Sequence, residues 1–215
     1  MASAQSTSSR RRLTAKGAAT RERIVVTASD LMYAQGVERT SLDDVVEASG
    51  TGKSQLYHYF ADKNELVGEV VTTQIERVVT SQAPLLEHLD SMRGFERWRD
   101  AVVAGNRSRR GMHGCPLGSL VSELADRSER AREALVTGFD AWESLFVDGL
   151  LRMQGTGELG EDAEPVALAK GLMAALQGGL LLAQARRDPE SLAVALDMAL
   201  AQIRARTTPV VPRRR

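Results

Sequence analysis

Between residues 53 and 58 the chain gathers Lys53, Ser54, Gln55, Tyr57 and His58 around one leucine, Leu56. An ammonium, a hydroxyl, a carboxamide, a phenol and an imidazole in so short a stretch suit a nucleic-acid groove. The ammonium neutralises phosphate, and a glutamine carboxamide can pair with two edge atoms of adenine. Other chemistry is poorly served. His58, His88 and His113 are scattered, with no pair at the i, i+4 spacing that holds a metal. No GxGxxG follows a strand pattern, and the run Gly50-Thr51-Gly52-Lys53-Ser54 lacks the spacing of a phosphate loop. An enzyme is therefore not expected, and neither is a cofactor. Cys115 is the single cysteine, so no intramolecular disulfide forms, which suits a reducing cytoplasm. Its neighbours Arg110 and His113 raise a second possibility, a thiol of depressed pKa that senses oxidants.

The elements that must position residues 53–58 are legible around them. Ser41 can cap a helix in which Leu42, Val45 and Val46 recur at helical spacing, with Asp44 near its positive end. Gly50 and Gly52 permit a sharp reversal. A short helix over about 53–59 follows, with Leu56, Tyr59 and Phe60 as its inward members. Asp62 and Glu65 then have the spacing of a capping box that opens a long helix. This is a helix-turn-helix, in which the second helix enters the major groove.

The run Leu56-Tyr57-His58-Tyr59-Phe60, followed by Asp62-Lys63 and Glu65-Leu66, resembles the DNA-binding domain of the TetR family of transcriptional regulators. Ile24–Gly36 and Thr40–Ser49 resemble its first two helices. The resemblance implies double-stranded DNA as partner. Lys53, Gln55 and His58 would approach base edges or nearby phosphates. Thr51, Ser54, Tyr57 and Lys63 would hold the backbone, as would Thr40, Ser41, Thr20 and Arg21. Two departures from the usual family run stand out. Gly52 occupies a position where a serine or threonine cap is common, and Ser54-Gln55 replaces a frequent Gly-Thr pair.

Hydrophobic residues make up 43% of the 215-residue chain, enough for a sizeable core, and formal net charge is zero. The basic residues are unevenly placed. Arg10, Arg11, Arg12, Lys16, Arg21 and Arg23 crowd the N-terminal end, and Arg213 to Arg215 close the chain. Residues 1–15 read as a flexible basic arm, 16–66 as the DNA-binding domain, 67–206 as a regulatory domain and 207–215 as a tail. No apolar run reaches the roughly 20 residues of a membrane span, and no secretory signal opens the chain. The expected location is the cytoplasm.

The rest reads as all-α. Leu66, Val67, Val70, Val71, Gln74, Ile75 and Val78 form the inward stripe of the long helix, which Pro84 should end. Helices are expected over 91–110, from Pro116 through Leu124, and from Ser128 to about Met153. Two apolar helices follow, over about 164–187 and after Pro189. The resemblance implies that residues 164–206 form a four-helix homodimer interface. It also implies a small apolar or aromatic effector, for which Trp98, Met112, Phe139, Trp142, Phe146, Met173 and Gln177 are the candidate lining. Gly114 to Leu120 resembles a segment of the LmrA/YxaF-like branch. A repressor on a palindromic operator, released when the long helix shifts the two recognition helices, is the implied mechanism. The alternative is a helical partner-binding protein without sequence-specific DNA binding.

Overall fold

The computed structural model describes residues 14–208. Arg10, Arg11 and Arg12 of the expected arm lie outside the described residues, as do Arg213, Arg214 and Arg215. Thr14 already accepts a hydrogen bond from the Gly17 amide and caps the first helix. The described residues form nine helices: α1 (Ala15–Gln35), α2 (Leu42–Ser49), α3 (Lys53–Tyr59), α4 (Lys63–Leu86), α5 (Met92–Ser108), α6 (Pro116–Leu124), α7 (Glu129–Gly155), α8 (Pro165–Arg186) and α9 (Glu190–Arg204). They contain no strand, only an isolated bridge between Leu159 and Thr207. The fold is all-α.

The local chemistry explains the boundaries. Ser41 and Asp44 make a full capping box at α2, and Gly50 ends that helix in the left-handed conformation, at φ 63°. Asp62 caps α4 by accepting from the Glu65 amide at 2.9 Å, while Glu65 reaches back one residue further, to the Ala61 amide. Pro116 opens α6, where a missing N–H costs nothing. Ser128 caps α7. One stop differs from expectation: α4 passes Pro84 and ends at Leu86. The proline forgoes one helical bond, the N–H that would reach the Thr80 carbonyl, but Leu86 beyond it is buried in the core and holds the last turn in place. The start of the expected C-terminal tail is also fastened, since the Thr208 amide donates to the Glu158 carbonyl and the Gly160 amide to that of Arg206.

Helices α1 to α3 close over Ile24, Ala28, Met32, Val45, Leu56 and Phe60. Burial of an aromatic such as Phe60 contributes roughly 1.5–3 kcal/mol, and Arg21 stacks over its ring at 5.2 Å. The larger unit is built around α7, with Trp98 of α5 set edge-on to Phe146 at 5.0 Å between ring centres. Helices α8 and α9 pack together closely. A Cβ added at Gly179 would fall 2.9 Å from the Leu192 Cα, so only glycine allows that approach.

Several contacts tie the two units. Arg21 pairs with Glu69 at 2.7 Å, and Arg77 reaches Asp30 at 2.8 Å and Ser29 at 3.2 Å, so α4 is clamped along α1. These pairs are partly exposed, worth about 1 kcal/mol or less each. Glu123 of α6 accepts from the Val37 amide at 2.7 Å and more weakly from that of Glu38. Arg127 pairs with the Glu38 carboxylate alongside. The amides of the loop between α1 and α2 are thus held by a carboxylate from the larger unit.

Candidate nucleic-acid interface and ligand cavity

Helix α3 is anchored by Leu56 and, at its end, by Phe60, both buried. Tyr59 is half-buried, with its ring edge-on to His58. Lys53, Ser54, Gln55, Tyr57 and His58 are all exposed. The outward face of the second helix of the helix-turn-helix is therefore polar. Lys53 is held at 2.9 Å from the Asp43 carboxylate of α2. That hydrogen bond and charge raise its pKa above the usual lysine value, so the ammonium is retained.

Gln55 has a task that sequence spacing did not show. Its Oε1 accepts from the Gly52 amide at 3.1 Å. Gly52 has no side chain to accept from the first-turn amides of α3; Gln55 instead satisfies the amide of Gly52 itself, the return half of a capping box. Its NH2 group remains as a donor. Bidentate pairing with adenine requires the cap to open, whereas a single donated bond does not.

Several residues expected at the DNA backbone are engaged within the protein. Thr20, Thr40 and Thr51 are buried. The Thr20 hydroxyl donates to the Lys16 carbonyl, the Thr40 hydroxyl to that of Gly36, and the Thr51 hydroxyl lies 2.7 Å from that of Ser49. These side chains brace the unit from inside. Arg21 is engaged with Glu69 and Phe60. Ser41 stays exposed, with its hydroxyl accepting from the Asp44 amide. The Ser41 amide, and then its hydroxyl, hold the Asp44 carboxyl below the usual carboxylate range. Lys63 lies half-buried in the first turn of α4, with Nζ 3.4 Å from the Glu38 carbonyl. Arg23, not singled out by sequence, ties α1 to α2 through a bond from Nε to the Ser49 carbonyl.

A cavity of about 450 Å³ lies where α1, α4, α5, α7 and α8 meet the loop before α6. Apolar walls come from Val78, Leu85, Val102, Leu176 and Leu180. Trp142 is the one candidate of the sequence reading that lines it. Trp98 and Phe146 are core, and Trp98 donates from Nε1 to Gln82 Oε1 at 3.0 Å. Met173 is also buried, with its sulfur 3.6 Å from the Gln177 amide nitrogen. Met112 lies half-buried in the loop between α5 and α6. Phe139 and Gln177 line a separate surface groove between α6, α7 and α8. The sequence reading did not single out Tyr33, Gln82 and Arg109 as lining, although each borders the cavity. The Tyr33 hydroxyl donates to the His113 carbonyl at 2.6 Å across 80 residues of chain, a contact no local pattern signals.

Cys115 also lines this cavity, yet it is buried, and desolvation pushes its thiol pKa up. The depressed pKa expected from Arg110 and His113 is not found. Burial outweighs the bonds from the backbone of Gly118 and Leu117 and from Gln177.

Helices α8 and α9 leave apolar side chains outside. Leu181 is 65% exposed and Met198 69%, with Val166, Leu182 and Val194 also open. Gly171 and Gly178 border empty space, unlike Gly179. Contrary to the sequence reading, α8 is long and apolar enough to cross a membrane by length and composition alone.

Comparison with known proteins agrees with this geometry. Residues 24–70 match the family model "Bacterial regulatory proteins, tetR family", and residues 93–199 match "Tetracyclin repressor-like, C-terminal domain". The HTH-type transcriptional regulator YxaF of Bacillus subtilis is 30% identical over 172 residues, covering 78% of this chain and 86% of that protein. An HTH-type regulator encoded in the lacX 3' region of Lactococcus lactis is 29% identical over 174 residues, covering 79% and 85%. A solved TetR-family regulator from Cytophaga hutchinsonii superposes with a TM-score of 0.78 at 18% identity, over 89% of this chain and 98% of that one. The chain belongs to the tetR family of bacterial transcriptional regulators.

Proposed function

We propose that this regulator is a repressor that binds a palindromic operator as a homodimer and leaves it when a small apolar or aromatic effector binds. The observation that carries the DNA reading is the joint exposure of Lys53, Ser54, Gln55, Tyr57 and His58 on one short helix whose other side is fixed by Leu56 and Phe60. Lys53 and His58 approach phosphates or base edges, and Gln55 donates from its free NH2. Ser54, Tyr57, Lys63 and the α2 end at Ser41 hold the backbone. One such helix reads few base pairs, so a two-fold pair is needed. The open apolar face of α8 and α9 supports that pairing, because an isologous patch gives two half-sites at once. Repression and effector release are typical of the family, and the site of action is the cytoplasm, where the DNA is.

The cavity beside Tyr33 and Trp142 is the proposed effector site. It touches α1 through Tyr33, and α4 is clamped to α1. A ligand that favours one spacing of these helices shifts the separation of the two α3 helices. A Cys115 sensor is not favoured, since its thiol stays protonated.

The test selects DNA from a random pool and measures affinity by fluorescence anisotropy against salt. The expected outcome is a two-fold symmetric sequence, preferred over random DNA by ~10³ or more, with affinity falling steeply as salt rises. Binding without sequence preference contradicts the regulator reading and favours the partner-binding alternative.

A further inference from the structure

We infer that the cavity takes a small organic monoanion, a carboxylate carried on an apolar or aromatic body. This rests on the effector reading just given. The cationic and the unpartnered polar groups of the cavity are donors, beside two hydroxyls, of Tyr33 and Ser81, whose protons already go to backbone carbonyls. Trp142 is 2% exposed, and its buried indole N–H has no hydrogen-bond partner in the protein. A buried indole N–H normally finds an acceptor, so this one points to an acceptor that the ligand brings. Gln82 has its Oε1 occupied by Trp98, which leaves the NH2 group to donate. Arg109 lines the cavity, and its guanidinium makes no ion pair among the described residues. The Tyr33 hydroxyl gives its proton to the His113 carbonyl. No aspartate or glutamate is among the lining residues.

This inventory selects a ligand class by exclusion. An amine would meet Arg109 and find no carboxylate. A bare inorganic anion would leave the walls of Val78, Leu85, Val102, Leu176 and Leu180 uncovered. A carboxylate is acceptor-only and can take two donated bonds from a guanidinium. The cavity is within the usual size range of small-molecule sites, so an aromatic or branched apolar body fits behind the acid group.

The two tryptophans, Trp98 and Trp142, allow binding to the full-length protein to be read by intrinsic fluorescence, checked by calorimetry. The probes are 3-phenylpropionate and 2-naphthylacetate, their primary amides, and 2-phenylethylamine. Each acid should bind at least tenfold tighter than its amide, with the amine weakest. Arg109→Met should remove the difference between acid and amide, with helicity by circular dichroism unchanged because Arg109 is exposed. Trp142→Phe should weaken the acids as well. Equal binding of acids and amides, an acid preference that survives Arg109→Met, or no binding by either acid each overturns the anion assignment. Operator release is measured in parallel on the selected DNA. Acids that occupy the cavity without releasing DNA contradict the effector reading but leave the anion site standing. Release by the amides through the same cavity does the reverse.

Discussion

The outward faces of α3 and of the α8–α9 pair are both free in the single chain, but they are free in opposite ways. On α3 the polar groups already have partners at hand: Lys53 sits on Asp43, and Gln55 caps Gly52. These bonds hold side chains in place at little cost, and each leaves donors to spare. On α8 and α9 the open groups are Leu181, Leu182, Val194 and Met198, which gain nothing from water. A polar face that is content in solvent suits a partner met and left according to salt and ligand, such as DNA. An apolar face of this breadth suits a partner that stays, and a second copy of the chain is the simplest one.

Charges placed on the apolar face test this contrast most severely. Leu181→Glu with Met198→Glu should convert the dimer to monomer by sedimentation at micromolar concentration. Operator affinity should fall a hundredfold or more, because two half-sites would no longer be joined. Melting of the isolated chain should hardly move, as both side chains are exposed within it. Retention of the dimer would break the comparison at its apolar end.

Substitution of Gln55 sharpens the polar end. Gln55→Ala should lower operator affinity by about 1–3 kcal/mol, concentrated at one base position, by band shift against operator variants. Gln55→Glu keeps the acceptor for the Gly52 amide and places a negative charge near the α3 N-terminus, so the fold should be at least as stable. The same change removes the donor and repels phosphate, so DNA binding should be lost. Binding that simply follows stability, reduced in Gln55→Ala and kept in Gln55→Glu, would show that Gln55 acts only as a cap.

A smaller effect is expected at Gly52. Its φ of –82° suits any residue, and an added Cβ meets nothing closer than 3.9 Å. Gly52→Ser should supply the missing cap and raise stability by a few tenths of a kcal/mol in a urea melt. Gln55 can keep its bond to the residue 52 amide, as in a full capping box, so base preference should stay unchanged.

The smallest effect concerns acid. The folded Asp44 carboxyl has a depressed pKa because of its bonds to Ser41. Its contribution is therefore complete above the unfolded aspartate value of about 3.9 and is lost as pH falls through the lower folded value. An Asp44→Asn variant should show a flatter acid limb than the parent when helicity is followed below that pH.

The same contrast explains what could be read from sequence. The helix-turn-helix is local. Ser41, Gly50, Leu56, Phe60 and Asp62 each act within a few residues, and residue types reveal those acts. The spans of α7, α8 and α9 were legible for the same reason, since their caps and breaks, Ser128 and Pro189 among them, act locally. Thr20, Thr40 and Thr51 were misplaced because a hydroxyl serves a phosphate or a nearby carbonyl equally well, and only burial decides. Pro84 misled because the loss of one helical bond is offset by tertiary burial of Leu86 beyond it, which no local pattern shows. The cavity was least legible. Trp98, Trp142 and Phe146 carry one apolar signature, yet only Trp142 borders the space, and Tyr33 meets His113 through tertiary packing alone.

Hydroxyl-radical footprinting on the selected operator tests most directly whether paired α3 helices read the duplex. Two protected tracts related by a two-fold axis are expected, their centres one DNA turn of about 34 Å or a multiple apart, both lost together in Lys53→Ala/Gln55→Ala/His58→Ala. A single protected tract, or protection that survives the triple substitution, would contradict paired reading by the α3 helices.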